Sequence, residues 1–91
     1  MSKEIILPVS IFKEGKHFVA YTPVLDLSTS AETFDEVKKR LFETVQIFFE
    51  ELAKKETTEE VLKGLGWQKT NGSWSPPVIV AQGPEKFKVT I

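Results

Sequence analysis

The side chains able to do chemistry are few. Cysteine is absent and His17 is the single histidine, which excludes thiolate nucleophiles, disulfides, thiolate zinc sites and multi-histidine metal centres. His17 adjoins the polar stretch Lys13-Glu14-Gly15-Lys16 and lies far in sequence from any credible Ser and Asp pair. It reads as a solvated turn histidine rather than the base of a nucleophilic triad. Two-metal hydrolysis needs carboxylates that converge from a strand and a helix. Glu4, Asp26 and Glu36 are the candidates, and Glu36 already has a helix-capping role. Gly64 and Gly66 follow a helical pattern instead of preceding one, which is the wrong order for a phosphate loop. The expectation is a non-enzymatic chain without cofactor or metal.

Contact chemistry is the remaining option, and it depends on the elements that present it. Ile5, Leu7, Val9 and Ile11 alternate with Pro8 and Ser10, the period-2 signature of a half-buried strand over about residues 4–12. Gly15 supplies a turn, and Phe18-Val19-Ala20-Tyr21 resumes a β-favouring run up to Pro23, so a hairpin is expected. A third extended piece over residues 24–29 would complete an antiparallel meander.

Thr33-Phe34-Asp35-Glu36 is a capping box that opens a long helix. Phe34, Val37, Leu41, Val45, Phe48 and Leu52 recur at three- and four-residue intervals as one apolar stripe, so this helix must lie on the sheet. A second capping box, Thr57-Thr58-Glu59-Glu60, opens a short helix, with Gly64 and Gly66 as its candidate stops. Asn71-Gly72 marks a two-residue hairpin turn that puts Trp67 and Trp74 diagonally on one face. Pro76-Pro77 then leads into two further expected strands, the continuous apolar run 78–81 and the alternating run 86–91. The fold class is α+β, in the order β-β-β-α-(short α)-β-β, with the long helix on one sheet face. If residues 78–81 pair beside the first strand, the helix becomes part of a right-handed crossover.

Ninety-one residues, 41% hydrophobic and 27% charged, are expected to form a single domain over 1–91. A formal net charge of −1 gives no global positive field for nucleic acid. The basic groups Lys38-Lys39-Arg40 and Lys54-Lys55 are interleaved with Asp35, Glu36, Glu43, Glu50 and Glu51, so a solvated helix face is expected there. The first apolar segment is too short and interrupted for a signal core or a membrane span, and a cytoplasmic protein without membrane partner is expected.

The run Phe18-Val19-Ala20-Tyr21-Thr22-Pro23-Val24-Leu25, followed by Thr33-Phe34-Asp35-Glu36-Val37, resembles the HicB-like antitoxin domain. That family pairs an aromatic-Val-Ala-aromatic-x-Pro-x-Leu strand with a capped helix opening on Thr-x-x-Glu. The likeness covers about residues 4–55, and Leu65-Gly66-Trp67 and Trp74-x-Pro76-Pro77 look like the tail of compact, single-domain members. The resemblance implies a partial RNase H-like fold with a β-β-β-α-β core, here followed by a short helix and a C-terminal hairpin or strand. It also implies an antitoxin that masks a small, basic, RNA-cleaving toxin of the HicA type. Residues 86–91 resemble at most the ribbon of a ribbon-helix-helix module, without its helices, so no direct DNA binding is expected from this chain.

Protein recognition draws on exposed strand edges and aromatic anchors. Asp26 and Leu27 on the third strand, with Trp67 and Trp74 on the hairpin, are the candidate partner-binding residues, although the tryptophans also suit the chain's own core. Phe42 and Phe49 widen the helix stripe beyond what one sheet face needs, and can meet either the chain's own tail or another subunit. With Phe87, Val89 and Ile91 on the last strand they form the candidate oligomer interface, so a homo-oligomer is expected. The alternative function is a self-associating structural or small-ligand-binding domain that has no toxin partner.

Overall fold

In the computed structural model, which describes residues 4–91, the first half of the chain is a three-stranded antiparallel sheet with a long helix across one face. Strands β1 (Ser10–Glu14), β2 (His17–Thr22) and β3 (Leu27–Ala31) pair in sequence order. Gly15, at φ +59°, makes the first turn, a left-handed conformation that costs a residue without Cβ little. Helices α1 (Phe34–Lys55) and α2 (Thr58–Gly64) follow, and then a separate hairpin of β4 (Gln68–Thr70) and β5 (Ser73–Ser75). The expected α+β class and the order β-β-β-α-α-β-β are the observed ones.

The boundaries depart from the expectation where a partner strand is missing. β1 starts at Ser10 rather than near residue 4, because its partner β2 ends at Thr22 and Pro23 follows. Pro8 also brings no N–H to a ladder. Residues 1–3, at the start of the expected span, lie outside the described residues. β3 is likewise shifted towards the C-terminus: residues 23–26 form a turn, closed by Asp26 N–H donating to the Pro23 carbonyl at 3.3 Å. The two strands expected at 78–81 and 86–91 do not pair, so the crossover they would have completed is not formed. The final two strands of the fold are those of the Asn71-Gly72 hairpin, with both turn residues at positive φ.

The helix follows its apolar spacing from Val37 to Leu52, whereas Phe34, the first residue of the expected stripe, is 48% exposed at the helix start. Val37, Leu41 and Leu52 are buried, and Ala20 and Ala31 give the sheet a low surface on which Val37 and Leu41 sit. At the N-terminus Thr33 Oγ1 accepts the Glu36 amide at 3.1 Å. The Glu36 carboxylate accepts the Thr33 hydroxyl at 3.3 Å, a variation on the capping box in which the return bond is to the side chain. The second capping box does not form: Thr57 makes no side-chain cap. Its backbone, at ψ 10° directly after the left-handed Glu56, is not in the extended conformation that a capping hydroxyl needs.

α2 closes with a Schellman motif. Trp67 N–H donates to Leu62 O at 2.9 Å and Gly66 N–H to Lys63 O at 3.0 Å, with Gly66 at φ +88°. Gly66 is therefore the stop, while Gly64 is still helical. The motif delivers Trp67 into the larger of two apolar clusters, formed with Val24, Leu25, Leu52 and Leu62. Val45 touches this cluster and the Ala20-Val37 cluster alike, and so joins them.

Candidate interaction surfaces

Strand parity assigns the two faces of the sheet. Ala20 and Thr22 point to α1 and are fully buried; Val19 and Tyr21 point the other way. Val19 lies across from Phe12 and Ser30, and Tyr21 across from Ser10 and Ser28. Among the described residues no helix packs on this outer face, where Phe12 is exposed and Val19 and Tyr21 are half-buried.

The corner between β2 and β3 gathers most of the residues singled out for partner binding. Asp26 is exposed and left-handed at φ 51°, a conformation that Asp tolerates better than most side chains. It therefore sits at the corner, not within the third strand as the sequence reading had it. Its carboxylate accepts the Tyr21 hydroxyl at 3.1 Å. Leu27, the first residue of β3, packs half-buried on the larger cluster, as does Trp74. Trp67 is 3% exposed; its indole N–H donates to Val24 O at 2.8 Å and its ring meets Phe49 edge-on at 6.1 Å. Trp67 therefore belongs to the chain's own core and offers no surface to a partner, which corrects its assignment as a binding residue. Trp74 lies across the hairpin from Lys69, whose Nζ stands 5.6 Å above the indole, a cation–π contact on the exposed side.

The residues proposed for self-association fall apart into three places. Phe49 is half-buried against Phe48 and Trp67, which fixes it in its own chain rather than in an interface. Phe42 is 68% exposed on α1. Phe87, Val89 and Ile91 are exposed in the unpaired tail, so neither they nor Phe42 is covered by the other. Some of the helix charges are matched locally: Arg40 reaches Glu36 at 3.9 Å and donates to the Ser30 carbonyl at 2.9 Å. Lys55 pairs with Glu51, and Lys63 with Glu59. The Lys63 ammonium, through its hydrogen bond and then its charge, holds the Glu59 carboxyl below the usual range. Among the described residues no three Asp, Glu or His side chains gather into a group able to hold a metal ion, and no helix is long and apolar enough to cross a membrane.

Tyr21, inconspicuous in the β-favouring run, orients Asp26 at the corner. Its odd position in β2 and the Pro23-to-Asp26 turn are the signals that place the two side chains together. The hydrogen bond to Asp26 raises the Tyr21 pKa above its ordinary value, with desolvation and the nearby negative charge adding to it. Because this is the chain's single tyrosine, an absorbance titration of the phenolate reads it directly. Its midpoint should lie above about 10, the value of a free tyrosine, and Asp26→Ala should bring it back down. The sign for stability follows: a proton held more tightly in the folded state favours folding at all pH below the free value, and that contribution disappears as pH rises through the folded pKa. An unchanged midpoint in Asp26→Ala would remove Asp26 as the cause.

No protein-family description, curated protein or solved structure was found to match this chain.

Proposed function

We propose that the chain is a non-catalytic protein-binding module of the HicB-like antitoxin kind, which occludes a small basic RNA-cleaving protein of the HicA type. The observation that carries the reading is the β2–β3 corner. There an exposed carboxylate, Asp26, accepts the Tyr21 hydroxyl and is followed in the chain by Leu27, which packs half-buried on the same apolar cluster as Trp74. A fixed anion beside apolar side chains suits a cationic partner, because the acceptor is oriented before contact and little side-chain freedom is lost on binding. The resemblance of residues 18–37 to the family supports the antitoxin reading, and the corner lies within that stretch.

The test is coexpression with a small basic protein encoded beside this chain. Co-purification of the pair, and rescue of growth from the partner's toxicity, are the expected results. Asp26→Lys should weaken the complex by about tenfold or more, the scale of a charge reversal at a central contact. Failure to co-purify together with failure to rescue growth would dispose of the reading.

A further inference from the structure

We propose that two copies of this chain exchange their C-terminal tails, residues 78–81 of each adding as a fourth strand to the free edge of β1 in the other. The first ground is an excess of surface. The chain exposes 7733 Å², whereas a compact monomer of 10.3 kDa exposes about 5,400 Å². Its radius of gyration is 15.5 Å, against about 12 Å for a compact domain of this length. Two copies together thus carry about 4,700 Å² of surplus, within the roughly 2,000–5,000 Å² that obligate dimers bury.

The second ground is what the surplus consists of. Val78 and Val80 are 82% and 93% exposed, in a continuous apolar run that suits a strand covered on both faces. Phe87, Val89 and Ile91 alternate with Lys86, Lys88 and Thr90 beyond them. This is strand sequence without a sheet. β1, conversely, is a sheet edge without a neighbouring strand among the described residues, and its line is continued by Ile5, Ile6 and Val9, all exposed. The opposite edge is already blunted: β3 is polar there, and the Arg40 guanidinium occupies the Ser30 carbonyl. Donor and acceptor lie on the same chain, so a twofold axis satisfies both by making one contact twice. A foreign partner would have to supply a strand and an edge at once.

The root of the tail is fixed. Pro76 and Pro77 are half-buried, and Pro77 Cγ lies 3.4 Å from where a Cβ on Gly66 would stand, so the segment leaves the body from a rigid anchor. From there fourteen residues at about 3.3 Å each reach up to roughly 46 Å, which is ample for a neighbouring protomer.

Light scattering on the full chain should give twice the monomer mass. Val80→Asp and Phe87→Asp, both at exposed positions that leave the protomer's core untouched, should halve it, whereas Phe42→Asp should leave it doubled. In the wild-type dimer the amides of residues 78–81 should exchange at least tenfold more slowly than in Val80→Asp. A monomeric wild-type chain, or a dimer undone by Phe42→Asp and indifferent to Val80→Asp, would overturn the exchange. Neither result bears on the β2–β3 corner, so the fate of the antitoxin reading is decided separately.

Discussion

Replacing Trp67 with alanine should cost about 3–5 kcal/mol, the range for deleting a buried aromatic side chain, and leave much of the chain unfolded. A domain of this size has roughly 5–14 kcal/mol of stability in total. Trp67 joins three regions of the fold. The Schellman closure of α2 places it, its ring packs against Phe49 of α1, and its indole N–H satisfies the Val24 carbonyl in the β2–β3 corner. Trp67→Phe separates packing from hydrogen bonding: the ring contact largely remains, and the unpaired carbonyl should cost about 1–2 kcal/mol. Trp74→Ala, at a half-buried site, should cost less than Trp67→Ala. Urea unfolding of the three variants reads the ranking. A Trp67→Ala midpoint close to wild type would mean that the larger cluster does not hold the fold together.

Thr22→Val should have the opposite sign, a gain of about 1 kcal/mol. Thr22 is completely buried on the helix-facing side of β2, and its hydroxyl has no hydrogen-bond partner among the described residues. A desolvated hydroxyl without a partner costs about 1–3 kcal/mol. Valine has nearly the same shape and an equal or better preference for strands. Thr22→Ser is the control, since it keeps the hydroxyl and deletes one methyl; it should lose roughly 0.8 kcal/mol or more. If Thr22→Val proves destabilising, the hydroxyl has a partner in solution.

Much of this architecture was legible from the order of residues because its signals are local. The Thr33 cap, the stripe from Val37 to Leu52 and the Asn71-Gly72 turn each act over a few positions, and each stands where the spacing puts it. What was not legible depends on distant partners. Residues 4–9 and 78–81 have strand sequence, but a strand also needs a neighbour, and neither segment has one among the described residues. Thr57 has the right side chain for a cap, and the turn at Glu56 gives it the wrong backbone.

The candidate site divides in the same way. Asp26 and Leu27 could be singled out from the corner sequence, while the Tyr21 bond that orients Asp26 required the pleat and turn together. Trp67 and Trp74 look alike in sequence. A seven-residue difference in their distance along the chain from Val24 tells nothing about which of them that remote carbonyl will claim.

The three strands and α1 meet their neighbours in the order in which they are strung, with short links between them. Such near-neighbour pairing closes quickly. During synthesis β1, β2 and β3 therefore leave the ribosome ahead of residues 78–81. On the proposed exchange, residues 78–81 would meet β1 edges already formed on sister chains made from the same message, so crowding of nascent copies would set how soon Val78 and Val80 are covered.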